Sequence, residues 1–431
     1  MATQSRDSSS HGKQYPPRVL IVGGGLAGLL LAILLEHINW PYQIFERAEA
    51  VKPIGSTLAL SPNILSAMEQ IGIYEDLLKA LSEALGYDYL VFPRPVLYDL
   101  LLAKVPKEKI AFKKKVLSIK QTDDEVTIHC SDNTSYEGHI LVGADGAYSA
   151  VRQCLYKQLA QENKLPASDA EQMNVNFTTM VGTTAPLDPN VFPGLGGDSA
   201  IQSFVYGKKS PYTWCTFAVT GNRICWHIMK QLDSRAADEE SFLNSEWISE
   251  ANEAMIRDAQ DFKTPHGTIG SLIEQTPKEY ISRVFLEDKL FETWFSGRVV
   301  LIGDGVVNAL QDAVILANCF YDLESYDTKS ITKAFKDYHG QRCKHVKTQY
   351  ETSKLNSRLT FGQTLPERIL RYVVFKFLPK SFFDNELIKE GAYRPQVSFL
   401  PYIKNRGKGH VLPQKPSKRQ TEEKAKGAIT V

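Results

Sequence analysis

Arg18-Val19-Leu20-Ile21-Val22, followed without a break by Gly23-Gly24-Gly25-Leu26-Ala27-Gly28, is the stretch that decides the fold. The first five residues read as a short buried strand, the glycines as a tight turn, and the apolar run Leu29 to Leu35 as a helix. A second strand, Tyr42-Gln43-Ile44-Phe45, ends on Glu46, eighteen positions after Gly28. This is the dinucleotide-binding fingerprint in its βαβ setting. Gly23 permits the tight turn, Gly25 lets a pyrophosphate approach the backbone, and Gly28 lets helix and strand pack closely. The helix N-terminus offers free N–H groups and partial positive charge to phosphates. Glu46 stands where it can accept hydrogen bonds from an adenosine ribose. Two competing readings are a glycine turn without a ligand and a membrane helix, since Val19 to Leu35 carries no charge. That run is just under spanning length and is broken by three glycines, which only the strand-turn-helix reading explains.

Working outward, Ile54 to Asn63 reads as a glycine loop leading into a helix from Ile64 to Leu78, with Ile64, Met68, Ile71 and Leu77 on its apolar face. Arg94-Pro95 opens a helix over Val96 to Ala103, with proline in the first turn. Val116–Lys120, Val126–Cys130 and Ser135–Val142 alternate as strands, the last two joined by an Asp132-Asn133 turn. From about Val175 the texture changes. Thr178–Thr184, Ala200–Tyr206, Thr213–Thr220 and Ile224–Lys230 read as strands of an antiparallel sheet forming a second domain. Ser241–Gln260 reads as helical, Val299–Ile302 as a buried strand, and Asp312–Glu324 and Ile331 to about Leu359 as helices.

The chain of 431 residues is long enough for two connected domains with a large core. Lys+Arg of 50 against Asp+Glu of 49 leaves almost no net charge, which argues against a nucleic-acid partner. The six cysteines are scattered without C-x-x-C or zinc spacing, so they read as reduced thiols, and no metal site is expected. Residues 1–16 are polar and lack the apolar core of a secretory signal; they read as a disordered tail, as does the Lys- and Pro-rich stretch 405–431.

Two further segments complete the pattern. Ile140-Leu141-Val142-Gly143-Ala144-Asp145-Gly146 is a strand and acidic turn, leading into a helix with Ser149 and Arg152. Val299-Val300-Leu301-Ile302-Gly303-Asp304 is a strand ending in Gly-Asp. Acids at the C-terminal ends of such strands sit where open α/β sheets bind ligands. With these motifs, and with Arg94-Pro95-x-Leu97-Tyr98-Asp99 and Tyr393-Arg394-Pro395-Gln396-x-Ser398-Phe399-Leu400-Pro401, the chain resembles the class A FAD-dependent monooxygenases of para-hydroxybenzoate hydroxylase type. It looks closest to the fungal epoxidases and hydroxylases of indole-diterpene and meroterpenoid pathways. The resemblance covers roughly residues 17 to 407.

That resemblance implies an α/β architecture: a Rossmann-like FAD-binding domain of glutathione-reductase type, an inserted antiparallel substrate sheet, and C-terminal helices. The implied boundaries are 17–174 and 286–330 for the FAD domain, 175–285 for the substrate sheet and 331–404 for the helices. It assigns cofactor contacts to Gly23, Gly25, Gly28, Glu46, Ala59, Arg94, Asp145, Gly146, Gly303 and Asp304, and a substrate-side catalytic role to Tyr206. The competing reading of Tyr206 is a core strand tyrosine. The implied chemistry uses NADPH and O2 to epoxidise or hydroxylate a lipophilic prenylated intermediate, with FAD carrying the hard steps.

Two departures stand out. Only Gly305–Gln311 separates Asp304 from Asp312-Ala313, without the Pro and Gly-x-Gly run that members of the family carry there. Tyr74 to Arg94 is also compressed. These support an alternative: a degenerate non-catalytic homologue, or a truncated gene model, with impaired FAD binding. Lastly, Ile369 to Leu378 is apolar but punctuated by Arg368, Arg371, Lys376 and Lys380. It is too short and too charged to span a bilayer. A basic amphipathic surface helix and a helix packed on the FAD domain are both open readings. The implied location is cytoplasmic, with peripheral contact to the endoplasmic reticulum membrane beside membrane-bound pathway enzymes.

Overall fold

The computed structural model describes residues 15–49, 57–80, 90–192, 195, 202–206, 211–219, 221–232, 249–303, 305–362, 364–405 and 409–422. In chain order the first half forms β1 (Val19–Val22), α1 (Leu26–His37), β2 (Tyr42–Phe45), β3 (Thr57–Leu60), α2 (Pro62–Gln70), α3 (Tyr74–Ala80), β4 (Leu90–Pro93), α4 (Arg94–Leu102), β5 (Ile110–Ala111), β6 (Val116–Gln121), β7 (Val126–Cys130), β8 (Ser135–Gly138), β9 (Ile140–Gly143) and α5 (Ala150–Gln161). β1 lies between β2 and β9, parallel to both, and all four of its side chains are buried. A strand covered on both faces reads as an unbroken apolar run, which is what Val19–Val22 is. α1 is buried on every side from Leu26 to Leu35, so its membrane-like composition belongs to a helix enclosed in protein.

The expected helix from Ile64 to Leu78 is two helices. Gly72, at φ +68°, takes a left-handed turn between α2 and α3 that a side-chain-bearing residue adopts only with strain. The single strand expected over Ser135–Val142 is also two. The chain leaves the three-stranded meander β6–β7–β8 at Gly138, and His139 N–H donates to Arg18 O at 2.8 Å as β9 enters the parallel sheet.

After a helical turn, α6 (Ala167–Ala170), the second sheet is built from β10 (Asn174–Thr183), β11 (Gln202–Tyr206), β12 (Tyr212–Val219) and β13 (Arg223–Gln231). It is followed by α7 (Ser249–Ala259), a small hairpin of β14 (Lys263–Thr264) and β15 (Gly267–Thr268), α8 (Ile269–Glu274) and β16 (Ser282–Asp288). The sheet order is β11-β12-β13-β10-β16, antiparallel throughout. β16 was not foreseen and carries the sheet to Asp288, past the expected boundary at 285. Its apolar residues, Val284 and Leu286, are partly exposed, so alternation gave no clear signal. One face, with Met180, Trp214, Trp226 and Ile228, packs under Met255 and Ala259 of α7 and Ile269 and Leu272 of α8.

The chain then returns to the first sheet through β17 (Phe295–Ser296) and β18 (Val299–Leu301), giving the order β17-β18-β9-β1-β2-β5. Only β17 runs antiparallel. The remaining helices are α9 (Val306–Tyr321), α10 (Thr328–Phe361), α11 (Leu365–Phe377) and α12 (Lys380–Glu390). α9 starts six residues before the expected Asp312, because its apolar stripe continues through Ala309 and Leu310 into the core beside α1.

The Tyr393–Pro401 run is a clamp. Val397 N–H donates to Gln70 Oε1 at 2.7 Å, and Ser398 N–H to Asn318 Oδ1 at 2.8 Å, tying α2 to α9. The tail expected over 405–431 is ordered over its described part, 409–422. Gln414 Oε1 accepts from Gln396 N–H at 2.8 Å, Lys415 pairs with Asp337 at 2.6 Å, and Ser417 Oγ donates to Asp322 at 2.6 Å. Composition alone hid these long-range polar partners. The expected N-terminal tail, except Tyr15 and Pro16, lies outside the described residues.

Candidate nucleotide and active site

The C-terminal ends of β1, β2, β9 and β18 open onto one cleft of about 520 Å³. Its first wall is local in sequence. Gly23 has φ +109°, and a Cβ there would lie 2.3 Å from Ala144 O. A Cβ on Gly28 would lie 2.1 Å from Gly23 O, so the helix approaches its own turn too closely for alanine. Gly25 is different: a Cβ there would meet no atom within 4 Å, because the residue borders the open cleft. α1 starts at Gly25 with no side-chain cap, leaving its first amides to a ligand. At the end of β2, Glu46 Oε2 accepts from Gly24 N–H at 2.7 Å and Oε1 from Ala48 N–H at 2.8 Å. Each carboxylate oxygen retains a further lone pair for a hydroxyl donor.

The second wall comes from β9 and β18. Asp145 accepts from Ser149 Oγ at 2.5 Å and Ala150 N–H at 2.6 Å, so it caps α5 while its residue lines the cleft. Burial pushes its carboxyl above the usual range, against those hydrogen bonds. Gly146, at φ +78°, also borders the cleft, and a Cβ there would meet nothing within 4 Å. Gly303 follows the end of β18, and α9 begins just after it, again without a side-chain cap; Val306 and Ala309 reach the cleft. Arg94 closes the rim from the first turn of α4, where burial lowers its pKa. Burial, then the charges of Glu46 and Asp99, push neighbouring Tyr98 up to about 12.

What holds Gly303 in place was missed from sequence. Gly303 N–H donates to Asp312 Oδ2 at 3.0 Å, and Asp312 Oδ1 pairs with Arg342 Nε at 2.5 Å, both side chains being fully buried. The same guanidinium donates to Gln311 Oε1 at 3.0 Å and to Asn308 Oδ1 at 3.1 Å. Burial opposes the charge on Arg342, but Asp312 outweighs it and the pKa stays above its ordinary value. The 30-residue separation between the partners left no local signal.

The structure thus brings Gly23, Gly25, Glu46, Arg94, Asp145, Gly146 and Gly303 to one cleft, with Gly28 packed behind the turn. Ala59 sits on β3 opposite Val91 and is not among the cleft's lining residues. Asp304 lies outside the described residues. Position 206 falls on β11 opposite Thr213, in a row continued by Met229 and Thr179. That row is on the sheet face opposite α7 and α8. Phe177, on the same face, meets Phe361 of α10 ring to ring at 5.8 Å, so this face is turned toward the long helix. It also holds the buried hydroxyls of Thr179 and Thr183, which have no hydrogen-bond partner. Among the described residues no cluster of potential metal ligands occurs.

These features define an α/β protein with a dinucleotide-type cleft at the ends of its parallel strands and a second, antiparallel sheet. No protein-family model matches the chain. It is similar to the FAD-dependent monooxygenase nvfK of Aspergillus novofumigatus, at 27% identity over 90% of this chain and 89% of that protein. The FAD-dependent monooxygenase ausM of Emericella nidulans is 26% identical over 91% of this chain and 88% of its own. Among solved structures, Klebsiella pneumoniae HpxO complexed with FAD and uric acid superposes with a TM-score of 0.69 at 19% identity, over 88% of this chain and 97% of that one. The named relatives bear out the resemblance to FAD-dependent monooxygenases and support an oxidoreductase of that type, and the superposition on HpxO shows a shared fold.

Proposed function

We propose that the protein binds FAD in the cleft between α1 and α9 and uses NADPH and O2 to oxygenate a lipophilic intermediate of fungal secondary metabolism. The observation that carries this reading is the convergence of two uncapped helix N-termini, α1 and α9, on one cleft edged by Glu46. Unsatisfied amides with a positive dipole end suit a dinucleotide's phosphates and an electron-rich flavin ring. Gly25 and Gly146 leave the space a Cβ would fill. Glu46 would hold the adenosine ribose, the α1 amides the pyrophosphate, and Arg94 with the α9 terminus the flavin side. The parallel sheet with its β6–β8 meander supports an FAD domain of glutathione-reductase type.

Bound FAD supplies the redox chemistry. The overall balance is one NADPH oxidised to NADP+ with one proton and one O2 consumed, one oxygen atom entering substrate and the other leaving as water. The chain's own contribution is to anchor the cofactor, exclude water and seat the substrate. Expected seating is the sheet face with Thr179, Thr183 and position 206, where a Tyr206 hydroxyl would orient a substrate oxygen. The substrate is proposed to be a prenylated terpenoid whose double bond is epoxidised, with hydroxylation the second outcome on the same site.

The degenerate-homologue alternative is not favoured. Relatives named as monooxygenases match nearly end to end, and the shortened connection before Asp312 still delivers an uncapped helix terminus to the cleft. The test is the visible spectrum and flavin content of the purified protein, then NADPH oxidation with and without prenylated terpenoids under 18O2. Stoichiometric FAD and label in the product support the reading; a colourless protein that takes up no FAD overturns it.

A further inference from the structure

α11 is amphipathic the wrong way round for a helix that only packs on its own protein. Its inward side carries two charged groups, both satisfied. Arg371 is buried, its Nε donating to Leu359 O at 2.7 Å and its Nη2 to Gly362 O, so it caps the C-terminal carbonyls of α10. Glu367, the only acid on the helix, also turns inward: it completes a capping box with Thr364 and pairs with Arg358 at 3.4 Å. The outward face carries Leu365, Ile369, Tyr372, Val373 and Phe377, each between 45 and 69% exposed. Leu365, Ile369, Tyr372 and Val373 follow the i, i+4, i+7, i+8 spacing of one stripe. A contiguous exposed stripe of this size marks an interaction surface.

We propose that this face docks the protein on an anionic lipid bilayer. The charge that accompanies the stripe selects the partner. Arg368 is exposed, and Lys376 sets its ammonium 4.8 Å over the Tyr372 ring and 5.7 Å from the Phe377 ring. No acid shares that side of α11. A cation on a long stem beside aromatic rings suits the headgroup layer, where stems lie along apolar surface and charges reach phosphate. A second copy of the chain across a two-fold axis would bring Arg368 and Lys376 near their own images, so like charges disfavour a self-interface. Thirteen helical residues rise only about 20 Å against a hydrocarbon core of about 30 Å. No helix among the described residues is long and apolar enough to cross a membrane. The helix therefore lies in the interface plane.

The test is co-sedimentation of the full-length protein as purified with vesicles of phosphatidylcholine, alone or mixed with phosphatidylserine. Wild type is expected to pellet with the mixed vesicles and to be released by salt. Ile369→Glu with Val373→Glu should lower partitioning roughly ten-fold or more. Arg368→Glu with Lys376→Glu should lower it about five-fold per cation, on mixed vesicles only. Milder Ile369→Ser with Val373→Ser, checked by an unchanged melting temperature, separates loss of docking from loss of fold. Equal pelleting of wild type and the apolar-face variants overturns the proposal. So does absence of pelleting with either vesicle, or a salt-resistant dimer that Ile369→Glu disperses. Pelleting is read independently of turnover, so failure of the oxygenase reading leaves this result standing.

Discussion

The two walls of the cleft are held by different physics. The Gly23–Glu46 wall is assembled from neighbours in sequence: a turn, a helix start and a strand end, with Glu46 bonded to Gly24 and Ala48. The Gly303–Ala309 wall depends on one buried guanidinium, Arg342, reaching back from α10 to Asp312 and Asn308. A local wall fails in steps, one contact at a time. A wall hung on a buried ion pair fails as a unit, because removing either partner strands the other charge away from water.

The largest expected effect follows. Arg342→Leu should cost about 3–5 kcal/mol in denaturant unfolding, with loss of bound FAD. Joint Arg342→Leu and Asp312→Leu should recover much of the stability, and failure to recover would show the pair is not the brace. The local wall offers an internal contrast. Gly28→Ala drives a methyl into Gly23 O and should cost about 1–3 kcal/mol. Gly25→Ala meets no protein atom and should leave stability within about 0.5 kcal/mol. Its methyl stands in the cleft, so FAD affinity, measured by titration of the apoprotein, should still fall about ten-fold, roughly 1.4 kcal/mol.

How much of this was legible in the sequence divides along the same line. The first wall was readable because Gly23, Gly25, Gly28 and Glu46 lie within one βαβ unit, where spacing determines geometry. The strand ends at Asp145 and Gly303 were readable for the same reason. Arg342 was not, since a guanidinium on a polar helix looks like any solvated charge until its partner is known. The clamp at Gln396 and the ordered 409–422 segment were hidden likewise, their partners Gln70, Asn318 and Asp322 lying far away in the chain. Position 206 could be assigned to a strand but not to a face, because one residue of register reverses the face.

Glu46→Gln sharpens the comparison further. The amide still accepts one backbone hydrogen bond but loses charge and a lone-pair site, so stability should change by less than about 1 kcal/mol while FAD binding weakens about five- to ten-fold. Isothermal titration would resolve it. The last expected effect concerns pH. His345 stacks on Tyr393 at 4.2 Å, and burial, with Arg342 nearby, pulls its pKa down to about 4 from an ordinary 6.5. Between those values the unfolded chain binds a proton that the folded one does not, so stability falls as pH drops from 6.5 toward 4. His345→Phe keeps the stack and removes the proton. The melting temperature should then decline less steeply over that window, by the equivalent of about 1–2 kcal/mol after solvent screening.

The order of the parallel sheet has a consequence for synthesis. β9 is paired with β1 on one side and must wait for β18 on the other. The whole antiparallel sheet, Asn174 to Asp288, emerges from the ribosome in that interval. The nascent chain therefore carries an apolar, unpaired strand edge, Ile140-Leu141-Val142, until Val299–Leu301 arrives. Such an edge invites pairing with another chain. Expression yield, rather than the stability of the finished protein, is where slower translation or chaperone supply should show most.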